Sequence, residues 1–226
     1  MEKNQYDLCL EVFRRFHEED ILKDVMVIGS WSLFFYEKYF QDTRYLSNYT
    51  LRTRDLDFLI DKPRHIKKSV DIPELLKNLG FAVTFHGSEG YIKLNHPDLI
   101  LEFLVPEMGR GTSHPFPLPQ FKMNAVALRF LNFLTDNPIV VQIENFTLKL
   151  PHPVDFALHK LIIHHRRKNE EKSIKDRTTA INLLKYLNEN GYSSQIHETI
   201  QSIPKKWQDK IKKGLDLDEL CLVEPS

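Results

Sequence analysis

VIGSWSLFFY, residues 27–36, decides how the chain is read. The five residues 24–28, DVMVI, are β-branched and apolar, the composition of a buried strand, and the run stops at Gly29-Ser30. Residues 31–40, WSLFFYEKYF, are long and aromatic enough for a helix packed on a sheet, with Ser30 at its N-terminus. A strand, a Gly-Ser turn and a helix in that order offer backbone N–H groups and the positive end of a helix dipole to a phosphate.

Upstream, Tyr6, Leu10, Phe13 and Phe16 recur at helical spacing, so residues 1–20 predict an amphipathic helix. That stretch lacks the uninterrupted apolar core of a signal peptide, and no apolar run approaches the roughly 20 residues of a membrane span. The expected compartment is the cytoplasm. Downstream, the polar segment 43–54 leads into DLDFLID, which alternates strictly over residues 55–60 and predicts a second strand. Residues 70–79 carry Leu75, Leu76 and Leu79 at helical spacing and close at Gly80. Segments 81–85, 91–94 and 99–105 read as three short strands with turns at 86–90 and 95–98.

Residues 106–120 hold four of the twelve prolines, so regular structure is expected to stop there. Beyond it, 125–134 predicts a helix, 139–150 a hairpin ending at Pro151, and everything from Pro153 onward helices. The expected organisation is a catalytic domain over 1–110, a connecting segment with a hairpin over 111–150, and a helical domain over 151–226.

Lys plus Arg and Asp plus Glu number 31 each, so no global field argues for nucleic acid or an anionic membrane, and electrostatic recognition has to be local. Cys9 and Cys221 lack metal-ligand spacing and read as free thiols in a reducing compartment. The histidines at 152, 159, 164 and 165 show no zinc-ligand spacing, and zinc is rejected. Serine-nucleophile and P-loop patterns are likewise missing from the sequence.

The chemistry gathers on carboxylates. Asp55 and Asp57 stand two apart and therefore share one strand face, with Leu56 and Phe58 on the other. Glu102 sits similarly between Leu101 and Phe103. If the two strands are neighbours, three carboxylates converge, a costly arrangement alone and a suitable one for Mg²⁺, which prefers hard oxygen ligands and also binds substrate phosphates. A D-x-D on a strand can also be an ordinary solvated face; what favours the site is the order of strand, Gly-Ser, aromatic helix, Arg-Thr-x-Asp-x-Asp and a later carboxylate.

In that order VIGSWSLFFY, RTRDLDFLI and LILEFLV resemble the polymerase-β-type nucleotidyltransferase superfamily. The closer likeness is to its uncharacterised bacterial nucleotidyltransferase-fold branch, which has a Pro-x-Pro element leading into a His-Lys helix and a basic Lys-Asp helix, here LPHPVDFALHKL and KSIKDRTTAINLLKYL. A more distant likeness is to the toxin-type nucleotidyltransferases of toxin–antitoxin and abortive-infection systems. The resemblance implies an α+β (α/β-like) nucleotidyltransferase fold: a small mixed sheet with flanking helices, followed by a mostly helical C-terminal domain. It implies Gly29 and Ser30 as the phosphate turn, Asp55 and Asp57 as metal ligands, and Glu102 as the third carboxylate, where many members have Asp. Arg52 and Thr53 match the Arg-Thr pattern and would contact triphosphate oxygens, and Lys160 would point to the nucleotide.

The expected activity is Mg²⁺-dependent transfer of a nucleoside monophosphate from a triphosphate, ATP by family likeness, to an acceptor hydroxyl on RNA, protein or a small molecule. Two metal ions fit this chemistry. Seven basic and three acidic residues between Lys160 and Arg177 make a local excess that suits a nucleic-acid acceptor or a solvated helix face. The rival reading is a non-catalytic nucleotide sensor or interaction protein on the same fold.

Overall fold

The computed structural model describes residues 3–42, 53–109, 111 and 114–223. The chain divides into two compact units, Met1–Pro151 and His152–Ser226. Within the first, helix α1 (Lys3–Glu18) precedes strand β1 (Met26–Ile28), helix α2 (Ser30–Phe40) and strand β2 (Asp55–Leu59). A short helix α3 (Ile72–Lys77) follows, then β3 (Ala82–His86), β4 (Tyr91–Asn95) and β5 (Ile100–Pro106). Strands β6 (Phe116–Leu118), β7 (Met123–Leu128), β8 (Ile139–Ile143) and β9 (Phe146–Leu150) complete this unit.

Among the described residues β1 to β7 form one mixed sheet, ordered β1-β2-β5-β4-β3, with β7 joined to β5 and β6 to β7. β2 and β5 run parallel, β1 lies antiparallel to β2, and β4 antiparallel to β5. One sheet face is apolar because the alternation of β2 and β5 puts Leu56, Phe58, Leu101 and Phe103 on it, all fully buried. Phe13 and Phe16 of α1 pack there, the Phe16 ring 5.1 Å and the Phe13 ring 6.2 Å from that of Phe58, which itself stacks on Phe103 at 5.5 Å. Burying a side chain of this size contributes roughly 1.5–3 kcal/mol. That places the hydrophobic support of β2 directly behind its aspartates.

Two expectations need correction. Residues 125–134 are not a helix: β7 pairs parallel with β5, Leu104 opposite Val126, and a 3₁₀ turn at Leu131–Leu134 follows. Phe130 adopts φ 69°, which ends any right-handed helix, while Asn124 accepts from Ile92 N–H and donates to Gly90 O, tying β7 to the β3–β4 turn. The proline-rich stretch does not end the sheet either, since β6 pairs with β7 through Pro117 opposite Asn124, a tolerated place for proline on an edge strand. The segment 111–150, expected as a connection, thus lies in the first compact unit, while the hairpin β8–β9 forms as expected.

The second unit is helical: α4 (Pro153–Ile163), α5 (Glu170–Glu189), α6 (Ser193–Ser202) and α7 (Lys205–Lys213). Pro153 opens α4, and His152 caps it by accepting from Val154 N–H at 3.2 Å; Asn169 caps α5 by accepting from Lys172 N–H at 2.9 Å. α4 is apolar nearly all round, with Val154, Phe156, Ala157, Leu158, Leu161 and Ile162 buried, which makes it the core of this unit. Cys9 is buried, Cys221 is exposed, and both are free thiols.

Burial and the nearby Lys160 and Arg167 lower His159 from 6.5 to about 3, against the opposing pull of Asp176. Burial and the neighbouring His165 and Arg177 lower His164 to about 4. Between these values and the ordinary 6.5 the unfolded chain binds protons that the folded one refuses. Stability is therefore full above pH 6.5 and falls as pH drops below it, by ~1.4 kcal/mol per pH unit for each histidine. Urea unfolding at pH 7.5, 6 and 5 should show this slope, and His159→Leu should make it shallower; a flat profile would contradict buried neutral imidazoles.

Candidate active site

β1 ends at Ile28, and the chain turns through Gly29 into α2. Gly29 is the N-cap residue, with φ 73° and ψ −151°, a region closed to residues with a Cβ, and it has no side chain of its own to cap the first turn. Asp57 explains the second demand on this position. A Cβ on Gly29 would lie 2.7 Å from Asp57 Oδ2, so the bare backbone is what lets the carboxylate stand against the turn. Ser30 is the first residue of α2, whose aromatic side Trp31, Phe35 and Tyr36 is buried; Ser32 Oγ donates to Val27 O at 2.8 Å and Tyr36 O–H to Pro151 O at 3.0 Å. The helix N-terminus is thereby fixed next to β2.

The parallel register of β2 and β5 sets Asp57 opposite Glu102, and β1 sets Ile28 opposite Asp57. Asp55, two residues earlier, shares the face and is exposed at the start of β2. Beyond the carboxylates along the same strands, Leu59 and Leu104 join Met26, Ile28, Leu131 and Leu134 in a buried cluster. The polar half of the face is therefore bounded on one side by dry core. Thr53 Oγ1 accepts from Asp55 N–H at 3.1 Å, and Thr53 O accepts from Gln5 Nε2 at 2.8 Å, which orients the start of β2.

Lys93 is a member of this site that the carboxylate pattern did not point to. Its Nζ lies 3.2 Å from Glu102 Oε1, across the β4–β5 hairpin. The signal was present, because in YIKLN the polar residues Tyr91, Lys93 and Asn95 alternate with Ile92 and Leu94, and a hairpin turning at 96–99 sets Lys93 opposite Glu102. Arg54 Nη2 donates to His96 O at 2.8 Å, clamping the turn before β5. Arg52 lies outside the described residues.

Lys160 lies in the helical unit, where its ammonium is bonded to Asp176, which also accepts from Arg167 Nε at 2.7 Å. Burial pushes Asp176 up, and these two cations more than offset it, leaving the carboxyl below its ordinary value. Arg177 is held by Gly214 O, Asp216 and Glu219. Lys160, Arg167 and Arg177 are thus engaged inside their own unit.

The donor set suits a hard divalent cation: carboxylate oxygens on adjacent strands, beside backbone amides at a helix N-terminus. Among the described residues no three His, Cys, Asp or Glu side chains are already gathered as metal ligands, and Glu102 is engaged by Lys93. The chain matches the nucleotidyltransferase family over residues 8–205 and belongs to it.

Its fold is similar to that of the antibiotic-resistance factor ANT(2'')-Ia in solution, with a TM-score of 0.50 at 11% identity over 94% of this chain and 92% of that one. The crystal structure of ANT(2'')-Ia with adenylyl-2''-tobramycin superposes at 0.49, with 11% identity over 94% and 97% of the two chains. An antigenic nucleotidyltransferase-like protein from Paracoccidioides brasiliensis superposes at 0.42, with 14% identity over 91% and 92%. No curated protein matches the chain. Among the described residues no helix is long and apolar enough to cross a membrane.

Proposed function

We propose that this nucleotidyltransferase moves a nucleoside monophosphate from ATP to an acceptor hydroxyl with Mg²⁺ held by Asp55, Asp57 and Glu102. The observation that carries this reading is the placement of Asp57, which is opposite Glu102 on the neighbouring strand and in contact with the Gly29 turn. A divalent cation bound there would neutralise charge on the transferring phosphoryl group. Ser30 and the backbone amides of the first turn of α2 bind the remaining phosphate oxygens, and Thr53 holds Asp55 at the start of its strand. Glu102 supplies a carboxylate that can accept the proton of the acceptor hydroxyl. Lys160 is assigned to the nucleotide phosphates on the family likeness, in exchange for its pairing with Asp176. Lys168, Lys172 and Lys175, exposed side chains between 160 and 177, are the place for a nucleic-acid acceptor.

The test is incorporation of label from each of the four α-labelled triphosphates into total cellular RNA and protein in the presence of Mg²⁺. ATP should give incorporation that is lost in chelator and in Asp57→Asn. Protection of the protein by triphosphate against heat without any incorporation would instead assign the nucleotide-sensor reading.

A further inference from the structure

Across the sheet the polar row continues past the carboxylates. Asp57 on β2 stands opposite Glu102 on β5, Glu102 is paired with Lys93 on β4, and Lys93 stands opposite Thr84 on β3. The Glu102 side chain is 21% and the Lys93 side chain 24% exposed, so water and salt screen this pair less than a surface pair. Glu102 therefore has a like charge on one side and an ammonium on the other. Repulsion by Asp57 and attraction by Lys93 act in the same direction, toward β4. A glutamate has the extra methylene to follow that pull across an interstrand gap of about 5 Å.

We propose that Lys93 is a positioning residue for Glu102, holding the third carboxylate toward β4 until a divalent cation draws it into the set with Asp55 and Asp57. The inference rests on the metal-dependent reading above. It accounts for the lack of a pre-gathered three-ligand set among the described residues. It makes cation binding and the Lys93–Glu102 pair competitors. Removing the ammonium should strengthen cation binding, and it should do so through Glu102 and not merely by deleting a nearby positive charge.

Calorimetric titration with Mn²⁺ alone, without nucleotide, tests this in the parent, Lys93→Met, Lys93→Arg, Glu102→Gln, the Lys93→Met/Glu102→Gln double variant and Asp57→Asn. Lys93→Met should bind Mn²⁺ about tenfold tighter, the size of a close charge pair released in a partly screened site. Lys93→Arg should stay at the parental affinity, and in the Glu102→Gln background Lys93→Met should give a much smaller gain. Lys93→Gln replaces Lys93→Met if the latter melts early. Equal or weaker binding after loss of the ammonium would overturn the proposal, as would the same gain with and without Glu102. Binding that disappears in Asp57→Asn yet ignores Lys93 sinks this inference alone. Binding that is missing from the parent and from every variant sinks the metal-dependent reading together with it.

Discussion

Asp57→Asn is expected to melt no lower than the parent in chelator and to lose most of the stabilisation that Mg²⁺ and ATP give the parent together. The reasoning starts from charge. Asp57 stands opposite Glu102 in register and two residues from Asp55 on the same face, so without a cation its carboxylate adds repulsion. Replacing it by a neutral isostere removes that cost at nearly constant shape, and the metal-free variant should gain up to ~1 kcal/mol. A ligand that binds only the folded state raises stability by mass action, ~2.7 kcal/mol at a hundredfold excess over its Kd, and the variant forfeits this with its ligand oxygen. Nucleotidyl transfer should fall by several orders of magnitude. Thermal melts of both proteins, each in chelator and in Mg²⁺ plus ATP, decide the matter; equal shifts would remove Asp57 from the site.

Gly29→Ala should be the most destabilising small substitution in this part of the chain. Two independent costs add at one atom: a backbone conformation at φ 73°, ψ −151° that residues with a Cβ avoid, and a methyl placed 2.7 Å from Asp57 Oδ2. The expected loss is ~3 kcal/mol, which for a chain of this size lowers the melting temperature by roughly 6–12 °C. Because the clash is with a side chain, Asp57→Ala in the same molecule should return part of that loss, while the backbone share stays. Strict additivity of the two substitutions would show that the carboxylate is not pressed against the turn. Cation binding by Gly29→Ala should also weaken, since relief of the contact moves Asp57.

Much of this frame was legible in the chain itself. The alternation of Asp55, Leu56, Asp57 and Phe58, and the acid Glu102 between Leu101 and Phe103, predicted two strands with carboxylates on one face and apolar residues on the other, because a half-buried strand writes its period into its composition. The strand, Gly-Ser turn and helix were readable from composition and order, and the helices after Pro153 by their spacing. What could not be read was pairing at long range. The stretch at 125–134 has apolar spacing compatible with a helix, and it becomes strand β7 because β5 offers it a parallel edge at Val126. The proline-rich segment looked like a terminus to the domain, yet an edge strand can take Pro117 without losing a needed hydrogen bond. Lys93 was not legible as a site residue although the alternation of YIKLN put it on the polar face, because its role depends on the β4–β5 pairing that brings it to Glu102.

Lys93 and Glu102 also belong to one hairpin, nine residues apart, whereas Asp57 lies 45 residues before Glu102 in the chain. Closing a loop as short as the β4–β5 turn is a microsecond event, while the parallel β2–β5 pairing must first overcome the entropy of a much longer closure. The ammonium and the third carboxylate can thus meet in a nascent hairpin before β2 docks. The last acid to arrive then meets a glutamate whose charge is already answered, and the order of assembly along the chain spares the folding protein an encounter between bare carboxylates.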